Sequence, residues 1–545
     1  MQLVIPLQRA GFHACLAGLL LSLAATPWTL MALWGVALFG GLSLLGTYHL
    51  RSRNRTLSRN YPVLIALRYF LESIGPEFRQ YFIESDHDER PFSREQRALV
   101  YQRAKNNLDH RPLGTLIDVY GEGYEWINHS LAPVTVASAA QRIVVGATCA
   151  KPYDASVFNI SALSFGAISP NAVRALNAGA ARGGFYHDTG EGSISRYHTE
   201  HGGDLVWEIG SGYFGCRHPD GTFDETRFAE NAALEQVKMI EIKLSQGAKP
   251  GLGGLLPGSK VNAEIAAARG VPQGQDVVSP ARHSAFSTPV ELLEFVHRLR
   301  TLSGGKPVGF KLAIGHPWEW FGIAKAMLET DLLPDFIVVD GAEGGTGAAP
   351  LEFINRVGMP VRDGLLLVRD TLIATGLRDR IRIGAAGKIT SAFHVFRMLA
   401  LGADWCNSAR GFMFALGCIQ AMNCHTGRCP SGVATQERSR WRSLDVTDKA
   451  SRVYNFHRQT LTSLASLVSA AGLAHVSEVG PQHVVRRISA TEVKSLDMLH
   501  PTPSSGALLD GCPDQEVFER YWASARPDRF NGGAHAIHGR LHHRN

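Results

Sequence analysis

Phe336-Ile337-Val338-Val339-Asp340-Gly341-Ala342-Glu343-Gly344-Gly345-Thr346-Gly347 reads as an apolar run of strand length that breaks into a polar, glycine-rich loop. The pattern recurs along the chain. Candidate strands are Val157 to Ser164, Met239 to Leu244, Val308 to Ile314, Phe336 to Val339, Ile381 to Ile383 and Trp405 to Asn407, and amphipathic helices lie between several of them: Pro170 to Arg182, Pro289 to Leu302, Trp318 to Leu328, Val361 to Thr375 and Ser391 to Leu401. Repeated strand–helix units imply parallel strands joined by crossover helices. Right-handed crossovers over some 300 residues favour a closed (β/α)8 TIM barrel, an α/β fold, with an open doubly wound sheet as the alternative.

Polar and glycine-rich motifs follow those strands, where such a barrel carries its chemistry. They are Ser164-Phe165-Gly166-Ala167, the run from Lys243 to Gly254, Lys311 at a strand end, Asp340 to Gly347, and Gly384-Ala385-Ala386-Gly387-Lys388. Successive glycines let backbone N–H groups approach an anion closely. Any one loop also reads as a plain turn, but several after consecutive strands point to a phosphate-bearing cofactor.

Cys418, Cys424 and Cys429 stand at spacings of six and five residues. Three thiols leave one corner of a cubane unligated, so on their own they suit a three-iron cluster. Cys406 is a candidate fourth ligand, which keeps a four-iron cluster and a tetrahedral zinc open, against three thiols with no shared partner. Eight cysteines in 545 residues are no disulfide framework.

From Gly11 to Leu50 the chain carries no Asp, Glu, Lys or Arg, and Thr26-Pro27 interrupts the stretch. Because about 20 apolar residues cross a bilayer, the expectation is a transmembrane hairpin, Ala10 to Ala25 and Trp28 to Tyr48. Arg51, Arg53, Arg55 and Arg59 follow it, a positive-inside signal that keeps the rest in the cytoplasm, anchored at the inner or plasma membrane. The competing reading cleaves residues up to about Ala25 as a signal peptide and leaves the second segment as anchor. Net charge is only +6, with much of the excess in that cluster and a His/Arg tail, so no nucleic-acid footprint follows. The tail from His535 to Asn545 reads as a disordered end. The division expected is 1–50 anchor, 51–150 linker and cap, 151–475 barrel with the cysteine loop, and 476–545 C-terminal extension.

The segments Glu241 to Asn262, Gly344 to Pro350 and Cys418 to Gln436 resemble the FMN-binding synthase domain of glutamate synthase over roughly residues 150 to 475. The resemblance implies an FMN barrel with a 3Fe-4S cluster that takes single electrons from an iron–sulfur donor and reduces 2-iminoglutarate, formed from 2-oxoglutarate and ammonia, to L-glutamate. It implies that Lys243, Gln246, Lys249 and Arg269 hold the oxoacid, several cations suiting a dicarboxylate. It puts Lys311 beside the flavin, with a barrel salt bridge as the alternative, and gives Glu191 a proton-shuttling role, with an exposed loop acid as the alternative. Ser164, Gly166, Asp340, Gly344, Gly345 and Thr346 would surround the ring and ribityl chain, and Gly387, Lys388, Arg410 and Gly411 the phosphate. Glu343 replaces an expected aspartate, and Gly384 to Lys388 lacks the family's acidic residue and paired glycines.

No amidotransferase cysteine, β-helix or convincing Gly-x-Gly-x-x-Gly fingerprint is visible. Ammonia or a delivered amine, and a ferredoxin-like protein, reductase subunit or membrane carrier as electron donor, are therefore expected. Two other readings remain: a membrane-linked flavin barrel exchanging electrons with quinone on another oxoacid or amino acid, and a non-catalytic electron-transfer subunit.

Overall fold

The computed structural model describes residues 9–51, 58, 60–83, 90–107, 109–137, 141–511 and 515–531. Arg53, Arg55, Arg59 and the tail from His535 lie outside the described residues. The chain divides into two units, Met1–Glu89 and Arg90–Asn545.

In the first unit α1 (Ala10–Ala25) and α2 (Ala32–Arg51) pack side by side through small residues. A methyl group on Gly18 would fall 2.9 Å from the Phe39 ring, one on Gly35 against Ser22 and one on Gly46 against Phe12, so later residues of α2 meet earlier residues of α1 and the helices run antiparallel. Two helices lie in the charge-free stretch, and the second begins at Ala32, not at Trp28, with the turn running through Thr29–Met31. Among the described residues α2 is the one helix long and apolar enough to cross a membrane; α1, at 16 residues, is shorter. α3 (Leu64–Phe78) follows.

The second unit opens with α4 (Arg94–Ala104) and is built on a closed, all-parallel barrel: β1 Phe158–Ile160, β2 His187–Asp188, β3 Leu205–Ile209, β4 Val237–Lys243, β5 Val308–Leu312, β6 Phe336–Asp340, β7 Arg382–Ala386 and β8 Trp405–Ser408, which pairs back with β1. The crossover helices include α5 (Pro170–Gly183), α6 (Glu225–Ala232), α8 (Pro289–Leu302), α9 (Pro317–Thr330), α10 (Val361–Ala374) and α11 (Ala392–Ala400), with α7 (Ala263–Arg269) inserted after β4. α12 (Arg410–Ala415) and the long α13 (Val446–Ala470) come after β8, and α13 lies along α5.

Local sequence explains the punctuation. α5 begins where the Ser169 side chain accepts from the Ala172 N–H and Pro170 occupies the first turn, and it ends at Gly184, whose φ of +63° is left-handed. α8 starts on a reciprocal Thr288–Glu291 capping box. Phe158 of β1 stacks 5.4 Å from Phe412 of α12 and edges Phe456 of α13 at 5.7 Å. Burying each such ring contributes about 1.5–3 kcal/mol.

Six strands fall where the apolar runs place them, and β2 and β3 were not foreseen. The reason for β2 is its length, since two residues ending on Asp188 leave no apolar run, whereas Leu205–Ile209 of β3 is an apolar run with Glu208 inside it, as Val237–Lys243 of β4 has Glu241, and is simply missing from the expected strands. Between Arg90 and Ala150 the described residues include α4 and a short strand. That strand, Glu125–Ile127, joins Val484–Arg487 and Val493–Ser495 in a small antiparallel sheet, tying the approach to the barrel to the C-terminal segment. That segment also packs on α9, with Phe518 stacked 5.3 Å from Phe321.

Candidate functional site at the barrel mouth

β4 ends on Lys243, and its ammonium lies 3.0 Å from the Glu191 carboxylate, delivered by the loop after β2. Burial alone would raise the Glu191 carboxyl, but Lys243, Lys249 and Arg269 outweigh it and hold the group down at about 2. Lys249 is buried and lowered mainly by desolvation, with Glu191 opposing. Arg269, at the end of α7, donates to the Phe165 carbonyl at 3.2 Å and lies 5.0 Å from the Phe214 ring centre. Its buried Nε finds no hydrogen-bond partner among the described residues. The structure therefore brings Glu191, Lys243, Lys249 and Arg269 together, and three cations against one anion leave the site two positive charges. Gln246, half-buried, lines the same pocket with Ser211, Ser245 and Leu252. Its shape depends on glycine: a methyl on Gly192 would stand 3.1 Å from Arg269, and one on Gly254 2.5 Å from Glu191.

Lys311 sits deeper. Its ammonium is 2.9 Å from Glu241, in contact with Glu208 and 3.8 Å from Asp188, all buried. This is the barrel salt bridge weighed as the alternative for Lys311. Burial lowers the lysine, but the three carboxylates and Asp340 raise it well above the ordinary value. Asp188 is itself pushed well up by burial, with Lys311 opposing. Among the described residues these three carboxylates form a set whose ligand atoms lie within 4.8 Å of one another, and Lys311 is the cation they hold.

Across the mouth, Asp340 accepts from the Gly247 N–H at 2.9 Å, and burial raises its carboxyl. Arg410 donates to the Glu343 carbonyl at 2.6 Å, is lowered to about 10 by burial, and lies 4.7 Å from the Phe92 ring centre; Lys388 lies 6.0 Å from that ring. Lys388 adopts a left-handed φ of +49°. A methyl on Gly345 would fall 2.8 Å from Arg410 Nε, and one on Gly344 3.0 Å from Asp340. Gly345 and Thr346 are exposed at the mouth, whereas Gly411 is buried on α12. Gly387 stands beside Val361 and Glu343. Ser164 and Gly166 approach from β1, where a methyl on Gly166 would reach Arg269 at 3.4 Å. The cradle thus combines glycine-lined backbone with two cations at one end, which fits a flat ring bearing a phosphate.

Beyond β8 the thiols of Cys418, Cys424 and Cys429 lie close enough to feel one another's charge. Burial pushes Cys418 up to about 12, and Cys424 and Cys429 add to the shift. Lys260 donates to the Cys424 carbonyl at 3.0 Å and Tyr101 to the Cys418 carbonyl at 2.6 Å. Three neighbouring thiols, Cys429 buried and Cys418 and Cys424 half-buried, suit a cluster that takes them as thiolates. Cys406 lies within β8, buried beside Arg397, and its register partners are Ala385 and Phe158.

Sequence reasoning missed Asp188, Glu208, Glu241, Phe92 and Lys260. The two glutamates had a signal, acids inside apolar strand runs; Phe92 and Lys260 reach the site only through tertiary packing.

The family model for the conserved region in glutamate synthase matches residues 131–474. The chain is 36% identical over 490 residues to the glutamate synthase large subunit-like protein YerD of Bacillus subtilis, covering 82% of this chain and 93% of that one. It is 34% identical over 342 residues to the archaeal NADPH glutamate synthase of Methanocaldococcus jannaschii, covering 62% of this chain and 64% of that one. A third relative, the archaeal-type NADPH glutamate synthase of Thermotoga maritima, is 31% identical over 349 residues, 64% of this chain and 65% of that one. The chain thus spans less than two thirds of these two enzymes. Among solved structures, a flavocytochrome b2 variant with pyruvate bound superposes with TM-score 0.40 at 10% identity, covering 77% of this chain and 85% of that one. A mandelate oxidase variant gives 0.38 at 13% identity, covering 79% and 98%.

Proposed function

The chain belongs to the glutamate synthase family, and on that premise we propose that it reduces 2-iminoglutarate to L-glutamate with electrons from an external donor. The observation that carries the reading is the grouping of Lys243, Lys249 and Arg269 around Glu191 at the barrel mouth. Its two excess positive charges match a dianionic oxoacid, and Arg269 keeps an unpartnered buried N–H to offer a carboxylate.

2-Oxoglutarate and ammonia condense with loss of water to 2-iminoglutarate. Two electrons and two protons then convert its C=N bond to the C–N bond of glutamate. Lys243, Lys249 and Arg269 bind and orient the carboxylates. Glu191 stays ionised at neutral pH, so it serves as a fixed negative charge that favours the cationic, more electrophilic iminium form, not as a proton donor. FMN would be held by the loops at Ser164, Gly166, Asp340 and Gly344 to Thr346, with Gly387, Lys388, Arg410 and Gly411 at its phosphate, and supplies two-electron transfer when bound. Cys418, Cys424 and Cys429 would hold a 3Fe-4S cluster that receives single electrons. Lys311 sets the floor of the mouth, where its charge faces Asp340.

We further propose that α1 and α2 anchor the protein in a membrane, with the catalytic unit on the cytoplasmic, Arg51 side. Their exposed apolar surface supports this, with Leu21, Trp34, Leu38 and Leu44 all turned outward.

The deciding experiment supplies reduced viologen, 2-oxoglutarate and ammonium to the purified protein. Glutamate formation is expected. Quinone-linked oxidation of another amino acid without glutamate would replace this reading.

A further inference from the structure

In α3, Leu64, Leu67, Phe70, Leu71 and Phe78 are each more than half exposed. At 100° per residue Leu64, Leu67, Leu71 and Phe78 fall on one stripe, with half-buried Ile74 between them and Phe70 at its edge. The stripe continues into the turn Arg79–Ile83, where exposed Phe82 lies 4.8 Å, ring centre to ring centre, from Phe78. Such a contiguous apolar face is larger than the scattered leucines of an ordinary surface and requires an occupant. The polar edge of the helix carries the Arg68–Glu72 pair at 2.7 Å, and the buried Ile65 holds the other side to the unit.

The position of α3 within the first unit identifies that occupant. Its leading turn is pinned where α1 begins and α2 ends: His49 Nδ1 and the Pro62 carbonyl are 2.6 Å apart, a methyl on Gly46 would lie 3.1 Å from Val63, and one on Gly11 3.7 Å from Leu64. That end of the hairpin carries Arg51, with Tyr48 and Tyr61 exposed beside it, the residue types that collect at a lipid–water boundary. With α1 and α2 as the anchor, the apolar stripe starts level with the headgroups, at the Arg51 end of the hairpin. At 15 residues, or about 22 Å, α3 suits lying along the surface rather than crossing it.

We propose that α3 is an interfacial helix whose Leu64–Leu67–Leu71–Phe78 face is buried in phospholipid acyl chains. The assignment rests on the proposed membrane anchor and extends it: the protein would grip one leaflet laterally as well as crossing the bilayer.

The test uses the full chain in phosphatidylethanolamine and phosphatidylglycerol vesicles, with photo-crosslinking p-benzoylphenylalanine at one position at a time. Leu67→p-benzoylphenylalanine and Leu71→p-benzoylphenylalanine are expected to give protein–phospholipid adducts by mass spectrometry, several-fold above Glu72→p-benzoylphenylalanine. Leu44→p-benzoylphenylalanine in α2 reports the anchor separately. Lipid adducts at Leu44 but none at Leu67 or Leu71 would overturn the α3 assignment and leave the anchor standing. Failure at Leu44 as well would remove the anchor reading itself. Adducts from Leu71 to a second copy or to the catalytic unit would show a protein-covered face and equally overturn the proposal.

Discussion

Lys243 and Glu191 close an ion pair of 3.0 Å at the mouth of the barrel, one from the end of β4 and the other from the loop after β2. On the proposed function, a substrate carboxylate that binds Lys243 competes with Glu191, and the pair would set both affinity and charge selection. Glu191→Gln is expected to tighten binding of 2-oxoglutarate while slowing turnover, because the iminium loses its counter-charge. Steady-state kinetics separate the two: a fall in kcat with KM unchanged or lower is the expected outcome, and a pure rise in KM would assign Glu191 to substrate binding.

Arg269 offers the unpartnered Nε and leans on the Phe214 ring. Arg269→Lys keeps the charge but loses the planar fork. A charge-assisted hydrogen bond is worth about 1.5–3 kcal/mol, so KM for 2-oxoglutarate should rise roughly tenfold to a hundredfold. Folding, read by thermal melting, should change little; a large drop in melting temperature with unaltered KM would mean that Arg269 only braces the Phe165 loop.

Acid titration tests the electrostatics of the pocket directly. The folded protein holds Glu191 at about 2, against 4.5 for a free glutamate, because Lys243, Lys249 and Arg269 outweigh its burial. A depressed carboxyl stabilises the fold fully above the free value and loses that contribution as pH falls toward the folded one. Wild-type protein should therefore lose stability between about pH 4.5 and 2 more steeply than Glu191→Gln. Parallel unfolding curves for the two across this window would contradict the ion-pair assignment.

Much of this was legible in the chain. Apolar runs such as Phe336 to Val339 and capped helices such as Pro289–Leu302 announce themselves because strand and helix periodicities leave different marks in sequence. β2 stayed hidden because two residues leave no apolar run, β3 is missing from the expected strands although Leu205–Ile209 forms one, and only closure of the sheet brings Asp188 and Glu208 to Lys311. Lys243, Lys249 and Arg269 stood out through their motif, yet the Glu191 carboxylate that orders them comes from a separate loop, at a distance no spacing rule supplies. Phe92 beneath Arg410 precedes that residue by more than three hundred positions, so nothing local could reveal the contact.

The charged floor of the barrel predicts a stability phenotype. Lys311→Met leaves Asp188, Glu208 and Glu241 buried without their cation, and breaking such a cluster costs about 3–5 kcal/mol. Urea denaturation should show this loss, and adding Glu241→Gln should recover part of it by removing one of the stranded carboxylates. A loss below about 1 kcal/mol would mean that the carboxylates simply take up protons and that Lys311 is not what holds them.

Cys406 and Cys424 stand in different surroundings, one inside the barrel wall and one on the loop after it. Cys424 shares its surroundings with Cys418 and Cys429, and Lys260 and Tyr101 fix the backbone of the loop at Cys424 and Cys418. Cys406 is held inside β8, between Ala385 and Phe158 in register. If three thiols carry the iron, the oxidised protein should give a three-iron electron paramagnetic resonance signal that Cys424→Ser abolishes and Cys406→Ser preserves. The opposite pattern would require β8 to open toward the loop, which its pairing with β1 and β7 resists. Loss of the signal in both variants, with tetrahedral zinc found by metal analysis of the wild type, would make the site structural and remove the proposed route for electrons.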